Sequence, residues 1–232
     1  MCGRFVRHSS LELIEKTFNV DSPAVKATPS YNIAPTQPVV AVVRDDHTRL
    51  VEFQWGLVPF FAKDAAGAAR LINARAETLA AKPSFRAAFR KRRCLVVADG
   101  FYEWTGTKGH KQAWYITLPN GGPFGFAGLW DTWRGDGRMA EIRSCTIVTT
   151  AASPWLRDLH DRMPVILKAE AYDAWLDPAN QDAGRLQSIL QDGCHVEFSR
   201  KAVSARVNYV GNTDAGCIEP VRGDSDENDA PA

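Results

Sequence analysis

Cys2 stands in the opening MCGRF. Initiator methionine is generally removed before a small residue, and its removal here leaves an α-amine and a thiol on one residue. Only an N-terminal cysteine offers that pair. At pH 7 an α-amine (pKa about 7.7–8) is neutral in roughly a tenth of molecules, whereas a lysine (about 10.4) is neutral in well under roughly one in a thousand. The chemistry then divides by which atom attacks. A thiol attacking an amide, with the amine as base, makes an N-terminal-nucleophile hydrolase such as a glutamine amidotransferase. An amine attacking an aldehyde makes an imine, which the thiol can close into a five-membered thiazolidine that resists hydrolysis. A ring-opened abasic site in DNA is such an aldehyde.

Either reaction needs groups that move protons. Glu103, in ADGFYEW, follows the apolar run LVVA, and a glutamate between Tyr102 and Trp104 is poorly solvated, which raises a carboxyl pKa. His160 lies in LHDRMP, and Asn73 in INARAE can cap or orient. Arg4, Arg75 and Arg162 each lie two residues from Cys2, Asn73 or His160, so if those three converge a guanidinium cluster converges with them, suited to phosphate. Trp55, Trp104 and Phe61 are of a type that stacks on unpaired bases, although core packing is the commoner fate. The five charges in Arg86–Arg93 read as a solvated helix face, and His8, His47, His110 and His195 as structural or exposed.

Other chemistries are excluded. There is no GxSxG, HExxH or P-loop, and GDGRMA (135–140) precedes a strand-like run, so it reads as a hairpin turn. Five cysteines without CxxC pairs or zinc-finger partners argue against a disulfide scaffold and a structural metal. No apolar run approaches the roughly 20 residues of a membrane span, and the start has no signal-peptide pattern, so a cytoplasmic protein is expected. The net charge is +1, yet all four acidic residues after Arg222 fall in the last nine positions. Residues 1–222 therefore carry 28 basic against 23 acidic side chains, +5. One domain over 1–222 and a disordered acidic tail over 223–232 are expected.

The elements that must hold these residues can be read in order. Ser9 with Glu12 forms a capping box before Leu11, Leu13, Ile14 and Phe18, predicting an early helix. YNIAPTQP (31–38) reads as an ordered loop. VVAVVR (39–44) and LVEFQW (50–55) predict a hairpin, 83–92 a basic helix, and 93–98 a buried strand leading into Glu103. Further strands are predicted at 112–118, 124–130 and 141–150, a short helix from Ser153-Pro154 to His160, and surface helices at 169–176 and 181–191. Strands in series with scattered helices predict an α+β single domain with a mainly antiparallel, barrel-like core.

Taken together, MCGRF (1–5), YNIAPTQ (31–37), WGLVP (55–59), NARAE (73–77), GFYEW (100–104) and HDRMP (160–164) resemble the SOS-response-associated peptidase (SRAP) domain family, whose members shield abasic sites in single-stranded DNA. The resemblance implies a barrel-like α+β domain with a positively charged cleft. It implies Cys2 as the residue forming the thiazolidine, Asn73 as holding the N-terminal residue or the sugar, Glu103 as acid/base and His160 as proton shuttle. It also implies phosphate contacts from Arg4, Arg75 and Arg162, and a wedge beside the lesion from Trp104 and Met163. No cofactor or metal is implied, and the partner is single-stranded DNA containing abasic sites, met by a monomer at the nucleoid. Self-removal of Met1 gives the family its peptidase label. Phe61 stands where relatives often carry tryptophan, and the acidic tail is no part of the pattern. Two other readings stand beside this one: an N-terminal-cysteine amidotransferase, and a non-covalent single-strand-binding module.

Overall fold

The computed structural model describes residues 2–20, 25–107, 109–135, 140–193 and 198–221. The acidic tail and Cys194 lie outside them, as do residues 136–139 of the expected turn.

Two sheets position the site. The smaller has the order β13-β8-β7-β1-β2, formed by β1 (Phe5–Arg7), β2 (Ser30–Ile33), β7 (Gly100–Thr107), β8 (His110–Thr117) and β13 (Ser199–Val203). The larger is built on β3 (Pro38–Arg44), β4 (Thr48–Trp55), β6 (Arg93–Ala98), β9 (Phe124–Trp133) and β10 (Ile142–Ala151). Its pairings run β10-β4-β3-β6-β9 and return from β9 to β10, closing a ring. Closure leaves these strands without free edges. Three short strands border the ring: β5 (Asn73–Arg75) and β11 (Arg162–Pro164) on β10, and β12 (Ile166–Leu167) on β9. The fold is thus the expected α+β with a barrel-like, mostly antiparallel core.

β3 and β6 bury both faces over most of their length, which explains their near-continuous apolar runs, whereas β4 leaves Glu52 exposed. Val40 and Val42 of β3, with Leu95 and Val97 of β6, pack against α1 (Leu11–Phe18), α2 (Pro83–Lys91), α3 (Tyr172–Leu176) and α4 (Ala183–Asp192). The alternate residues Val39, Ala41, Cys94 and Val96 meet Phe5, Phe101 and Ile116 of the smaller sheet. Ser10 caps α1 by accepting from Leu13 N at 3.2 Å, one residue after the capping position expected.

Four expectations change. The 31–38 segment is not all loop: Ser30–Ile33 pairs with β1 as an edge strand, because Pro29 and Pro35 bracket a proline-free stretch whose Asn32 and Ile33 are buried. The 153–160 segment is two linked turns, with Leu156 and Arg157 N–H on Ser153 O and Leu159 and His160 N–H on Leu156 O. It turns rather than extends because both leucines point into the core. The helices near 172 and 183 are not merely superficial, since Trp175 and Leu186 are fully buried. Arg93 is no part of a solvated face either. It is buried and donates to the carbonyls of Trp175, Phe89, Arg90, Asp177 and Asn180, so its guanidinium knots α2 to α3 and the following turn.

Candidate active site

Cys2 precedes β1, whose register on β7 pairs Phe5 with Phe101, while Tyr102 N–H donates to Arg4 O at 3.0 Å. This pairing draws the N-terminus alongside Glu103. Asn73, opening β5 in the other sheet, donates from Nδ2 to the Cys2 carbonyl at 2.8 Å. Its Oδ1 is buried and has no partner among the described residues, an acceptor that a nearby amine or hydroxyl would satisfy. Cys2 itself is buried, in the core cluster that also contains Leu156, Leu159 and Met163. Burial pushes its thiol well above the usual range, and the charge of Glu103 adds to the effect. A thiol so placed is a poor thiolate.

Glu103 is 4% exposed. Burial raises its carboxyl to about 7, while the N-terminal ammonium pulls the other way and Asp161 pushes it further up. A carboxyl near 7 gives or takes a proton readily at neutral pH. Burial likewise lowers His160, helped by the N-terminal ammonium and opposed by Asp161. Its Nδ1 lies 2.9 Å from the Arg162 backbone nitrogen and 2.7 Å from Asp161 Oδ1. One nitrogen cannot serve both partners at once. Neutral, it accepts from Arg162 and carries its proton on Nε2; protonated, it donates to Asp161.

The strand period sends Glu103 and Trp104 to opposite faces of β7. Glu103 shares the face of Phe101, whereas Trp104 shares that of Tyr102. On the Trp104 side a cleft of about 620 Å³ opens, lined by Gly3, Arg4, Trp104, His110, Lys111 and Asn208. Arg4 lies over the Trp104 ring, 5.7 Å from its centroid, and Trp104 Nε1 donates to Asn208 Oδ1 at 2.7 Å. Both described hydrogen bonds of Arg4 leave through Nη1, to Asn32 Oδ1 at 2.6 Å and Val207 O at 2.9 Å. Buried Asn32 in turn donates to the carbonyls of Val207, Tyr209 and Asn212, tying the 207–212 loop to the cleft wall.

Cys2, Asn73, Glu103 and His160 are therefore neighbours, and Arg4 and Trp104 flank them. Arg75 is exposed at the end of β5. Arg162 is occupied, bound through both terminal nitrogens to Glu77. Met163 is 1% exposed and accepts the Ser153 N–H on its sulfur at 3.4 Å, so in this structure its side chain is packed in the core cluster that also holds Cys2. Trp55 is fully buried with Nε1 on Ile72 O, which removes it from the stacking candidates; Phe61 remains exposed. Sequence reasoning missed Glu77, Asp161 and Asn32, although all three sit inside the segments NARAE, HDRMP and YNIAPTQ.

The profile of the SOS response associated peptidase (SRAP) family matches residues 1–210. The chain belongs to the SRAP family. Among SRAP relatives, it is 41% identical over 223 residues to the abasic site processing protein YoqW of Bacillus subtilis, covering 94% of this chain and 99% of that protein. It is 34% identical over 232 residues to the abasic site processing protein YedK of Escherichia coli, covering 95% and 100%. A crystal structure of a Bacteroides thetaiotaomicron protein superposes with a TM-score of 0.83 at 23% identity, over 95% of this chain and all of that one. That likeness concerns the fold.

Proposed function

We propose that this SRAP protein processes abasic sites in DNA, capturing the ring-opened deoxyribose of a single strand as a thiazolidine on Cys2. Hydrolysis of the Met1–Cys2 peptide bond comes first, with Glu103 as the base that activates the water. The freed amine then attacks the aldehyde carbon, giving a carbinolamine whose hydroxyl takes a proton from Glu103 and leaves as water, and the nitrogen returns a proton to Glu103 to form the imine. Last, the thiol sulfur adds to the imine carbon and its proton passes to the nitrogen. The balance is one aldehyde and one aminothiol giving one thiazolidine and one water. In a side branch, loss of a C2 proton from the imine expels the 3′ phosphate, a lyase outcome.

The observation that carries this reading is the junction of three groups: the Cys2 carbonyl on Asn73 Nδ2, the Asn73 Oδ1 that has no partner among the described residues, and a buried carboxyl near neutrality. Asn73 Oδ1 would orient the amine for attack. His160 would pass a proton to the sugar oxygen as the ring opens. Arg4 and Arg75 would meet phosphates, and Trp104 a base. An amidotransferase needs its thiol activated, and burial here does the opposite. The working unit is a monomer of residues 1–222 acting on DNA in the cytoplasm.

The test is a denaturing gel of the protein with a single-stranded oligonucleotide bearing one abasic site, alongside Cys2→Ala, Glu103→Gln and an undamaged strand. The expected result is a heat-stable shifted band for the intact protein, much slower formation with Glu103→Gln, and none with Cys2→Ala. Native binding without any band from a protein whose Met1 is gone would leave the non-covalent module as the function. Adduct formation through another residue would sink the mechanism.

A further inference from the structure

Asn32 is fully buried on the edge strand β2, and its amide is spent on neighbours from distant parts of the chain. Oδ1 accepts from Arg4 Nη1 at 2.6 Å, and the two Nδ2 hydrogens are shared among the carbonyls of Val207, Tyr209 and Asn212 at 3.1, 3.1 and 2.8 Å. Only one orientation of the amide fits, because the reverse would aim a donor at a guanidinium and an oxygen at three carbonyls. Arg4 Nη1 also donates to Val207 O at 2.9 Å, so amide, guanidinium and loop close a triangle of hydrogen bonds. Nη1 is thereby occupied, while Nε and Nη2, which form one planar donor fork, have no hydrogen-bond partner among the described residues. On a residue that lines the cleft, such a fork matches two oxygens of a phosphate. The same loop follows the 3-10 turn Ala205–Asn208, whose last residue accepts the Trp104 Nε1–H at 2.7 Å. Asn32 therefore sits behind both the cleft arginine and the loop that holds the cleft tryptophan.

We propose that Asn32 is a positioning residue for strand binding: it aims the free Arg4 fork into the cleft and fixes the loop that pins Trp104, without touching a nucleotide itself. A surface arginine samples many rotamers, and settling one beforehand removes that entropy cost from binding. The loop has other ties, since Tyr31 N–H donates to Thr213 O at 3.0 Å and Asn212 Nδ2 to Arg206 O at 2.8 Å. Loss of the Asn32 amide should therefore loosen the cleft wall and leave the sheet intact. The inference rests on the cleft as a single-strand site, and it does not depend on the reaction at Cys2.

The test uses the full chain and an undamaged single-stranded oligonucleotide, titrated by fluorescence at several salt concentrations, with an adduct time course on the abasic strand. Asn32→Ala should weaken binding about tenfold, the worth of a hydrogen bond to a charged group. Its slope of log affinity against log salt should fall by about one, as in Arg4→Gln, and Asn32→Ala/Arg4→Gln should lose no further slope. The abasic-strand concentration at half-maximal rate should rise about tenfold with the saturated rate within about twofold, a split that general loosening of the fold would not give. Arg4→Lys keeps the charge but not the fork and should lose about fivefold in affinity, which decides the matter if Asn32→Ala does not fold. Wild-type affinity and slope in folded Asn32→Ala, or wild-type affinity in Arg4→Lys, would overturn the proposal and leave Asn32 a residue of the fold alone. A wild type that binds the strand without forming an adduct would refute the capture reaction and leave Asn32 to be judged by the slopes. A wild type that binds no strand would refute both.

Discussion

Asn73 Nδ2 holds the carbonyl of Cys2 at 2.8 Å, across the junction between the two sheets. The donor opens β5, paired in parallel to the closed ring, while the acceptor precedes the first strand of the smaller sheet. Cys2 is therefore held from outside its own sheet.

Replacing that donor should slow chemistry more than binding. Asn73→Ala is expected to reduce the single-turnover rate of adduct formation by about 10–100-fold, since the amine is no longer aimed. Its affinity for an undamaged strand should remain near that of the wild type. A gel time course with a fluorescence titration separates the two.

Glu103 links activity to stability through pH. Its folded carboxyl is near 7 against an ordinary 4.5, so between those values the folded state holds a proton that the unfolded state has released. The native state then loses stability as pH rises from 4.5 through 7, by up to about 3 kcal/mol from this group. Glu103→Gln should flatten that slope and melt higher than the wild type at pH 8, while capturing abasic sites far more slowly. Thermal melts from pH 4.5 to 8 give the comparison, and an unchanged slope in the variant would falsify the assignment.

The cleft makes separate demands on charge and stacking. Arg4→Gln should lower the slope of log affinity against log salt by about one. Trp104→Ala should cost about 1–3 kcal/mol of single-strand affinity with little change in that slope. Titrations at several salt concentrations distinguish them. Equal slopes for the wild type and Arg4→Gln would remove Arg4 from the phosphate contacts.

Arg93 should prove structural. Arg93→Ala strands five carbonyls that the guanidinium now satisfies and opens a void beside Trp175, so a loss of at least about 3 kcal/mol is expected. Denaturant unfolding reads it directly. A loss below about 1 kcal/mol would mean that water replaces the guanidinium without penalty.

Much of this molecule was legible residue by residue. The amine and thiol of an N-terminal cysteine are local chemistry, the start of α1 was legible to within one residue of its Ser10 cap, and the β3–β4 hairpin follows from two apolar runs around a polar turn. Glu103 could be singled out because its apolar and aromatic neighbours already constrain it, whereas Asn73 and His160 drew their expected roles from the family's motifs. Their convergence could not be read locally, since it depends on parallel pairings of β10 with β4 and β5 that join residues some 70 to 90 positions apart. Arginines show the limit most clearly. Arg4, Arg93 and Arg162 look alike in a sequence, yet one borders an open cleft, one is sunk among five carbonyls and one is clasped by Glu77. A guanidinium takes its role from whichever acceptors the fold brings to it, and those acceptors arrive from distant strands.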